Sequence, residues 1–315
     1  MRIFRRLVFL VPMALATSAV GCDAAESPVA VDTSVSADLE NDTHESDAQE
    51  SDTHESDAHE SDTHESDTHE GDAHEGDTHE GDVHHAPHWS YGDTESGPEF
   101  WGELSEDWLV CGEGQRQSPV DIPAVPATTD PTLTVDYLPS PLRVLNNGHT
   151  IKALFDAAPF STLTIAETAH TLLEVHYHAE SEHTVDGLRF DLELHLVHQD
   201  AAGNRAVIGL LFVVGDPHPS LSELADHLDA ATATATEIPE ALIQPAALLP
   251  VDRSAWHYPG SLTTPPCDEN VAWFVMSSVQ ELSAEQLDAF TRHYSGNFRP
   301  AQPLNERQFA VPTER

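Results

Sequence analysis

Leu173-Glu174-Val175-His176-Tyr177-His178 and Phe190-Asp191-Leu192-Glu193-Leu194-His195-Leu196-Val197-His198 are two short alternating runs that bring three histidines into register. On an extended strand, side chains two residues apart share a face, so Glu174, His176 and His178 project together while Val175 and Tyr177 project the other way. The second run presents Glu193, His195 and Val197 on a common face, and the turn-rich segment 179–187 joins the two. If the strands pair antiparallel with these faces aligned, His176, His178 and His195 converge on one point. Three neutral nitrogen donors make a metal site, and zinc is the first candidate because it favours tetrahedral nitrogen and sulfur coordination. Three protein ligands leave a position for water, which distinguishes a catalytic zinc from a structural one. Each ligating imidazole also needs its other nitrogen held. Glu174 and Glu193 stand two residues before a histidine on the same faces, where a carboxylate can hold it. An isolated H-x-H on a strand more often marks two surface histidines; the third histidine and the flanking acids shift the reading to metal.

Around these runs stand longer strings that resemble the α-class carbonic anhydrases. Ser181-Glu182-His183-Thr184-Val185 follows the H-x-H, and His88-Trp89-Ser90-Tyr91-Gly92, Gly97-Pro98-Glu99-Phe100-Trp101, Gln117-Ser118-Pro119-Val120-Asp121-Ile122 and Asn146-Asn147-Gly148-His149 precede it. Further on come Trp256-His257-Tyr258-Pro259-Gly260-Ser261-Leu262-Thr263-Thr264-Pro265-Pro266 and Arg299-Pro300-Ala301-Gln302-Pro303-Leu304. The likeness runs from about residue 88 to residue 308. It implies one mainly β domain of the α+β class, with a large, mostly antiparallel twisted central sheet, few peripheral helices and zinc in a cone-shaped cleft. It also implies reversible hydration of carbon dioxide to bicarbonate and a proton, by attack of zinc-bound hydroxide.

The same resemblance distributes roles. Thr263 would orient the hydroxide and donate its own hydroxyl's hydrogen bond to Glu182, and Thr264 would line the same wall. Val197, Val207, Leu262, Val271 and Trp273 match an apolar pocket for a substrate with little polarity to grip. His149 matches a proton shuttle, a task that suits an exposed imidazole titrating near neutrality. Tyr91 and Asn147 stand in register with it, and Asn297 would support the site from behind. The chain departs from the family at Glu174, where glutamine is usual, at Val175 and Tyr177, which replace phenylalanines, and at Ala179, which replaces proline or tryptophan. A charged Glu174 should make His176 a stronger donor and zinc a weaker acid, raising the working pH.

Residues 1–21 read as a secretory signal: Arg2, Arg5 and Arg6 precede an apolar run, 7–16, too short to span a bilayer. Ser18-Ala19-Val20-Gly21-Cys22 resembles a lipoprotein processing site, with Cys22 as the lipidated residue; an ordinary signal cleavage nearby is the alternative. Residues 22–86 form an acidic linker, and from 41 to 85 it is a tandem repeat of the form [S/G]-D-[T/A]-H-E. With almost nothing apolar to bury, its composition predicts disorder, and its acids would extend it into a spacer. Its histidines offer many weak sites for zinc, nickel or copper, or simply record repeat expansion. Residues 87–315 form the remaining domain. Of the 3 cysteines, lipidation of Cys22 leaves Cys111 and Cys267, which match a disulfide of secreted bacterial members of the family.

Within the domain, β-rich runs at 133–137, 150–155, 161–165, 207–214 and 271–277 are separated by Pro, Gly, Asn and Asp. Helices are expected at 221–230 and after Ser283, where Ser-Ala-Glu-Gln has capping-box spacing. The net charge of -42 makes nucleic acid and anionic membrane surfaces poor partners, leaving a lipid anchor as the membrane link. These readings place the protein outside the cytoplasm, periplasmic or on the cell surface. The competing function is a surface lipoprotein that binds divalent metal through its repeat.

Overall fold

The computed structural model describes residues 87–309, apart from 131, 158 and 159. The signal-like segment, Cys22 and the acidic repeat lie outside the described residues. The first strands are β1 (Asp121–Ile122), β2 (Leu133–Asp136), β3 (Ser140–Asn146), β4 (Ile151–Leu154) and β5 (Thr162–Ile165). The site is built on β6 (Thr168–His178), β7 (Thr184–Val185), β8 (Leu192–Asp200) and β9 (Arg205–Val214). Then come β10 (Thr236–Ile243), β11 (Ala255–Ser261), β12 (Glu269–Met276) and β13 (Gln280–Leu282). Helices α1 (Trp101–Leu104), α2 (Val110–Glu113), α3 (Pro219–Ala225), α4 (Pro245–Leu248) and α5 (Ala284–Thr291) are short, and none is long and apolar enough to cross a membrane.

Eleven strands make one sheet in the order β10-β3-β4-β6-β8-β9-β12-β11, with β5 joining β6 to β2 and β13 beside β9. The expected antiparallel pattern dominates, but β9 pairs in parallel with both β12 and β13. The sheet is therefore mixed. Each expected strand is present within a few residues at its ends. The expected helix at 221–230 starts earlier, at Pro219, whose fixed φ suits a first helical turn, and its end tightens into a separate 3-10 turn at Leu228–Ala230. The capping box before α5 is formed: Ser283 Oγ accepts from Gln286 N at 3.2 Å and Gln286 Oε1 accepts from Ser283 N at 3.0 Å.

Alternation sorts the central strands onto two faces. Val175 and Tyr177 of β6, Leu192, Leu194 and Leu196 of β8, Ile208 and Leu210 of β9 and Phe274 of β12 enter the larger core. The residues between them, Val197, Val207, Leu211, Trp273 and Val275, build a second apolar cluster on the other face. Both faces being covered, β8 and β9 are buried almost throughout. At one edge Cys111 and Cys267 form a disulfide 156 residues apart in sequence, among Trp101 and Trp108. In the chain-entropy model a loop of that length stabilises the fold by about 5 kcal/mol.

Candidate metal centre

A bulge in β6 between Leu172 and Glu174 sets the pairing of β6 with β8. In that register Glu174 faces Val197, His176 faces His195 and His178 faces Glu193. The next strand continues the rows, with Val207 opposite Val197 and Gly209 opposite His195, and β12 adds Trp273 beside Val207. The convergence expected from alternation is therefore present: one ligand atom from each of His176, His178 and His195 lies within 4.8 Å of the others.

Two of the three remaining ring nitrogens are hydrogen-bonded, and the third, His176 Nδ1, lies beside a carboxylate. His178 Nδ1 donates to the Asn297 carbonyl at 2.6 Å and His195 Nε2 donates to Glu193 Oε1 at 2.9 Å. Glu174 Oε1 comes within 3.2 Å of His176 Nδ1. His178 Nε2, by contrast, is buried with no hydrogen-bond partner, which is costly for a polar atom unless something else binds it. An orphaned nitrogen facing two others, with the opposite nitrogens of His178 and His195 hydrogen-bonded and that of His176 beside the Glu174 carboxylate, is an arrangement that a tetrahedral ion with nitrogen preference fits.

Behind the histidines lies a closed polar network. Glu193 Oε2 accepts from the backbone N–H groups of Glu182 and His183 at 2.9 and 2.8 Å, and Oε1 also accepts from His183 Nδ1 at 2.7 Å. His183 Nε2 in turn accepts from Tyr258 Oη at 2.6 Å. Gly209 leaves room for this carboxylate, since a Cβ there would lie 3.0 Å from Glu193 Oε1. Glu182 Oε1 accepts from Arg299 N at 2.8 Å. Its Oε2 has no well-aligned partner, the Thr263 hydroxyl being a weak one.

These surroundings decide protonation. Burial pushes His176 down to about 4, partly opposed by Glu174, and pushes His178 down to about 3. His195 is also buried, but the carboxylate of Glu193 outweighs that cost and raises it above the ordinary 6.5. Burial raises Glu182, with His195, Arg299 N–H and Thr263 pulling it part of the way back. Glu193 is buried too, yet His183 and His195 hold it well below the usual carboxylate range.

The histidines line a cleft of about 100 Å³ together with Tyr91, Asn147, His149, Glu174, Val197, Val207, Leu262, Thr263, Thr264 and Trp273. Val271, expected in the apolar wall, is buried in the cluster behind it and does not line the cleft. Its strand alternation matches Trp273, but it sits one row further from the histidines, opposite Arg205. Asn297 also stands behind the cleft. Its Oδ1 accepts from Ala179 N at 2.9 Å, and its Nδ2 donates to the carbonyls of His149 and Tyr177 at 3.1 Å each.

His149 departs from the expected open exposure. Asn147 Oδ1 accepts from His149 N and Thr150 N at 3.0 and 2.9 Å, shaping the turn, and the imidazole stacks on Trp89 at 3.5 Å between ring centroids. Burial against that ring, with the charges of His88 and Lys152, lowers its pKa.

Three cleft or network residues escaped the sequence reading. Lys152, opposite His176, binds both Glu174 oxygens at 2.8 and 2.9 Å and helps hold that carboxyl at about 2 against its burial. The negative charge expected to strengthen His176 is thus shared with an ammonium. Arg205 also lines the cleft, and His183 forms the inner network. The parity of Lys152 with Thr150, and of Arg205 with Val207, was a signal that could have found the first two.

A family model described as eukaryotic-type carbonic anhydrase matches residues 96–312. A carbonic anhydrase of Klebsiella pneumoniae is 40% identical over 225 residues, covering 70% of this chain and 90% of that protein. One from a Nostoc strain is 38% identical over 225 residues, covering 70% and 84%. Among solved structures, the α-carbonic anhydrase of Thermovibrio ammonificans in complex with the inhibitor sulfanilamide aligns with a TM-score of 0.66 at 38% identity, covering 71% of this chain and 98% of that one.

Proposed function

The chain belongs to the eukaryotic-type, α-class carbonic anhydrases, and on that premise we propose that His176, His178 and His195 hold the zinc at which it hydrates carbon dioxide. The observation that carries the metal reading is the trio of ring nitrogens within 4.8 Å, including the orphaned His178 Nε2. A bound zinc supplies Lewis acidity that makes water a nucleophile at neutral pH, the chemistry for which this family is itself the reference case. The residues do the rest. Val197, Val207, Leu262 and Trp273 offer an uncharged substrate an apolar seat beside the histidines. Thr263, whose hydroxyl donates toward Glu182, keeps its oxygen lone pairs turned to the cleft and so fixes the direction of the nucleophile's own proton. Thr264 borders the same space. We assign to the cleft the sulfonamide site seen in the Thermovibrio relative. Chelation of the full chain followed by zinc addition tests the reading: hydration lost and then restored supports it, and undiminished hydration of metal-free protein overturns it.

His149 is assigned the proton transfer out of the cleft. Its lowered pKa keeps the accepting, neutral form present to lower pH than for an ordinary histidine. His149→Ala should lower turnover in dilute buffer by about tenfold or more, with recovery in concentrated imidazole and unchanged zinc content. Stopped-flow hydration in weak buffer measures this, and an unchanged rate there would remove the assignment.

Zinc affinity should depend on one proton in mild acid. A protonated nitrogen cannot bind metal, so each ligand loses affinity as pH falls through its own pKa. His176 and His178 stay neutral down to about 4 and about 3, whereas His195 is raised. Competition titrations with a chelating dye should therefore show affinity falling about tenfold per pH unit below the His195 pKa. A three-proton slope over that range would contradict this ordering.

Residues 1–21 and Cys22 are assigned to export and anchoring, which agrees with a cysteine pair suited to an oxidising compartment. Membership of the family favours the enzymatic reading over the repeat as the functional part.

A further inference from the structure

We propose that Arg205 makes the mouth of the cleft selective for anions, setting the affinity for bicarbonate and for ligands that carry a negative group at that position. The inference rests on the metal reading above and adds a determinant of specificity to it. Arg205 opens β9 and shares its face with Val207 and Gly209. Gly209 stands opposite His195 and Val207 opposite Val197. The Arg205 backbone is four residues out from the histidine row, about 13 Å along the strand, and its long side chain lines the cleft on the apolar side.

The charges around the cleft single this residue out. Lys152, the other fixed cation in the lining, is bound by both oxygens of Glu174. The Arg205 side chain makes no hydrogen bond or ion pair with any described residue. A guanidinium stays charged at any working pH, so it stands as an uncompensated positive charge. The chain has 13 Lys and Arg against 55 Asp and Glu, which gives it a field that repels anions at long range. At physiological salt that field is screened beyond about 8 Å, so inside the cleft the nearest charge decides.

Carbon dioxide is uncharged and bicarbonate is not, so Arg205 acts on the anionic side of the reaction. Its loss should raise KM for bicarbonate and weaken binding of anions. The ratio of kcat/KM in the two directions stays fixed by the reaction's equilibrium constant, so the effect shows as a division between KM and kcat and in ligand affinity. For charges roughly 9 Å apart at an effective dielectric of about 20 to 80, the expected change is roughly two- to twentyfold.

The test uses zinc-loaded full chain and two ligands, sulfanilamide with its neutral tail and 4-carboxybenzenesulfonamide with an anionic one. Calorimetry gives the ratio of their affinities in wild type, Arg205→Gln, Arg205→Lys and Arg205→Glu. The preference for the carboxylate should fall roughly two- to twentyfold in Arg205→Gln. It should persist in Arg205→Lys, fall further in Arg205→Glu, and lose its dependence on residue 205 in about 1 M salt. KM for bicarbonate should rise in the same order. An affinity ratio that is the same in Arg205→Gln and wild type at low salt overturns the proposal while leaving the metal site standing. If zinc-loaded wild type binds neither sulfonamide, the metal reading fails and takes this inference with it.

Discussion

His195→Ala is expected to strip zinc from the full chain and abolish carbon dioxide hydration with it. His195 holds the position at which the two histidine strands meet, directly opposite His176. Without it, His176 and His178 come from one strand and offer two nitrogens, too few for a tetrahedral site that must also keep a place for water. Loss of a residue that only orients a ligand typically costs about 10–100-fold in metal affinity, so loss of a ligand should exceed that. The fold should survive, because Glu193 keeps its two backbone donors and His183 Nδ1. Metal analysis after dialysis, with circular dichroism to confirm folding, decides the matter. Stoichiometric zinc retained by a folded His195→Ala protein would refute the ligand assignment.

What could be read before the structure was what depends on local period. Alternation in 173–178 and 190–198 was enough to put Glu174, His176 and His178 on one face of their strand and Glu193, His195 and Val197 on one face of theirs, because a strand's side-chain period is independent of its partners, while the alignment of the two faces rests on the pairing. The capping box at Ser283 and Gln286 was legible for the same reason. The parallel pairing of β9 with β12 was not, since nothing near Arg205 specifies which distant strand lies beside it. Lys152 took no part in the sequence reading of the site, and its role appears once β4 lies against β6 and sets it opposite His176. His183 was one letter in a resembling string. Its bond to Glu193 requires the 179–187 segment to fold back over β8. His149 was read as exposed because Trp89, which covers it, lies 60 residues away at the start of the described chain.

Glu193→Gln is expected to cost metal-free protein about 3–5 kcal/mol, the penalty typical of removing one partner from a buried charged network. The residue is fully buried, and its two oxygens serve four donors: the backbone N–H groups of Glu182 and His183, His183 Nδ1 and His195 Nε2. Glutamine has almost the same shape, so packing is not the issue. Its amide nitrogen must face one of the two donor pairs, donor against donor. Each buried donor left without an acceptor costs about 1–3 kcal/mol. His195 would also lose the anion that orients it, weakening zinc by a further 10–100-fold or so. The pH dependence has a definite sign. His183 and His195, overcoming burial, hold the Glu193 carboxyl well below its usual range. A carboxyl depressed on folding stabilises above its unfolded pKa and loses that contribution only as pH falls through the folded value. The gap between wild type and Glu193→Gln should therefore be at least as large at about pH 5 as at about pH 7, because the raised His195 adds stability that is fully present below the ordinary histidine value, and it should close only in stronger acid. Urea unfolding of both metal-free proteins at each pH measures it. A gap under about 1 kcal/mol at neutral pH would mean that the four hydrogen bonds do no more than replace those the carboxylate makes to water.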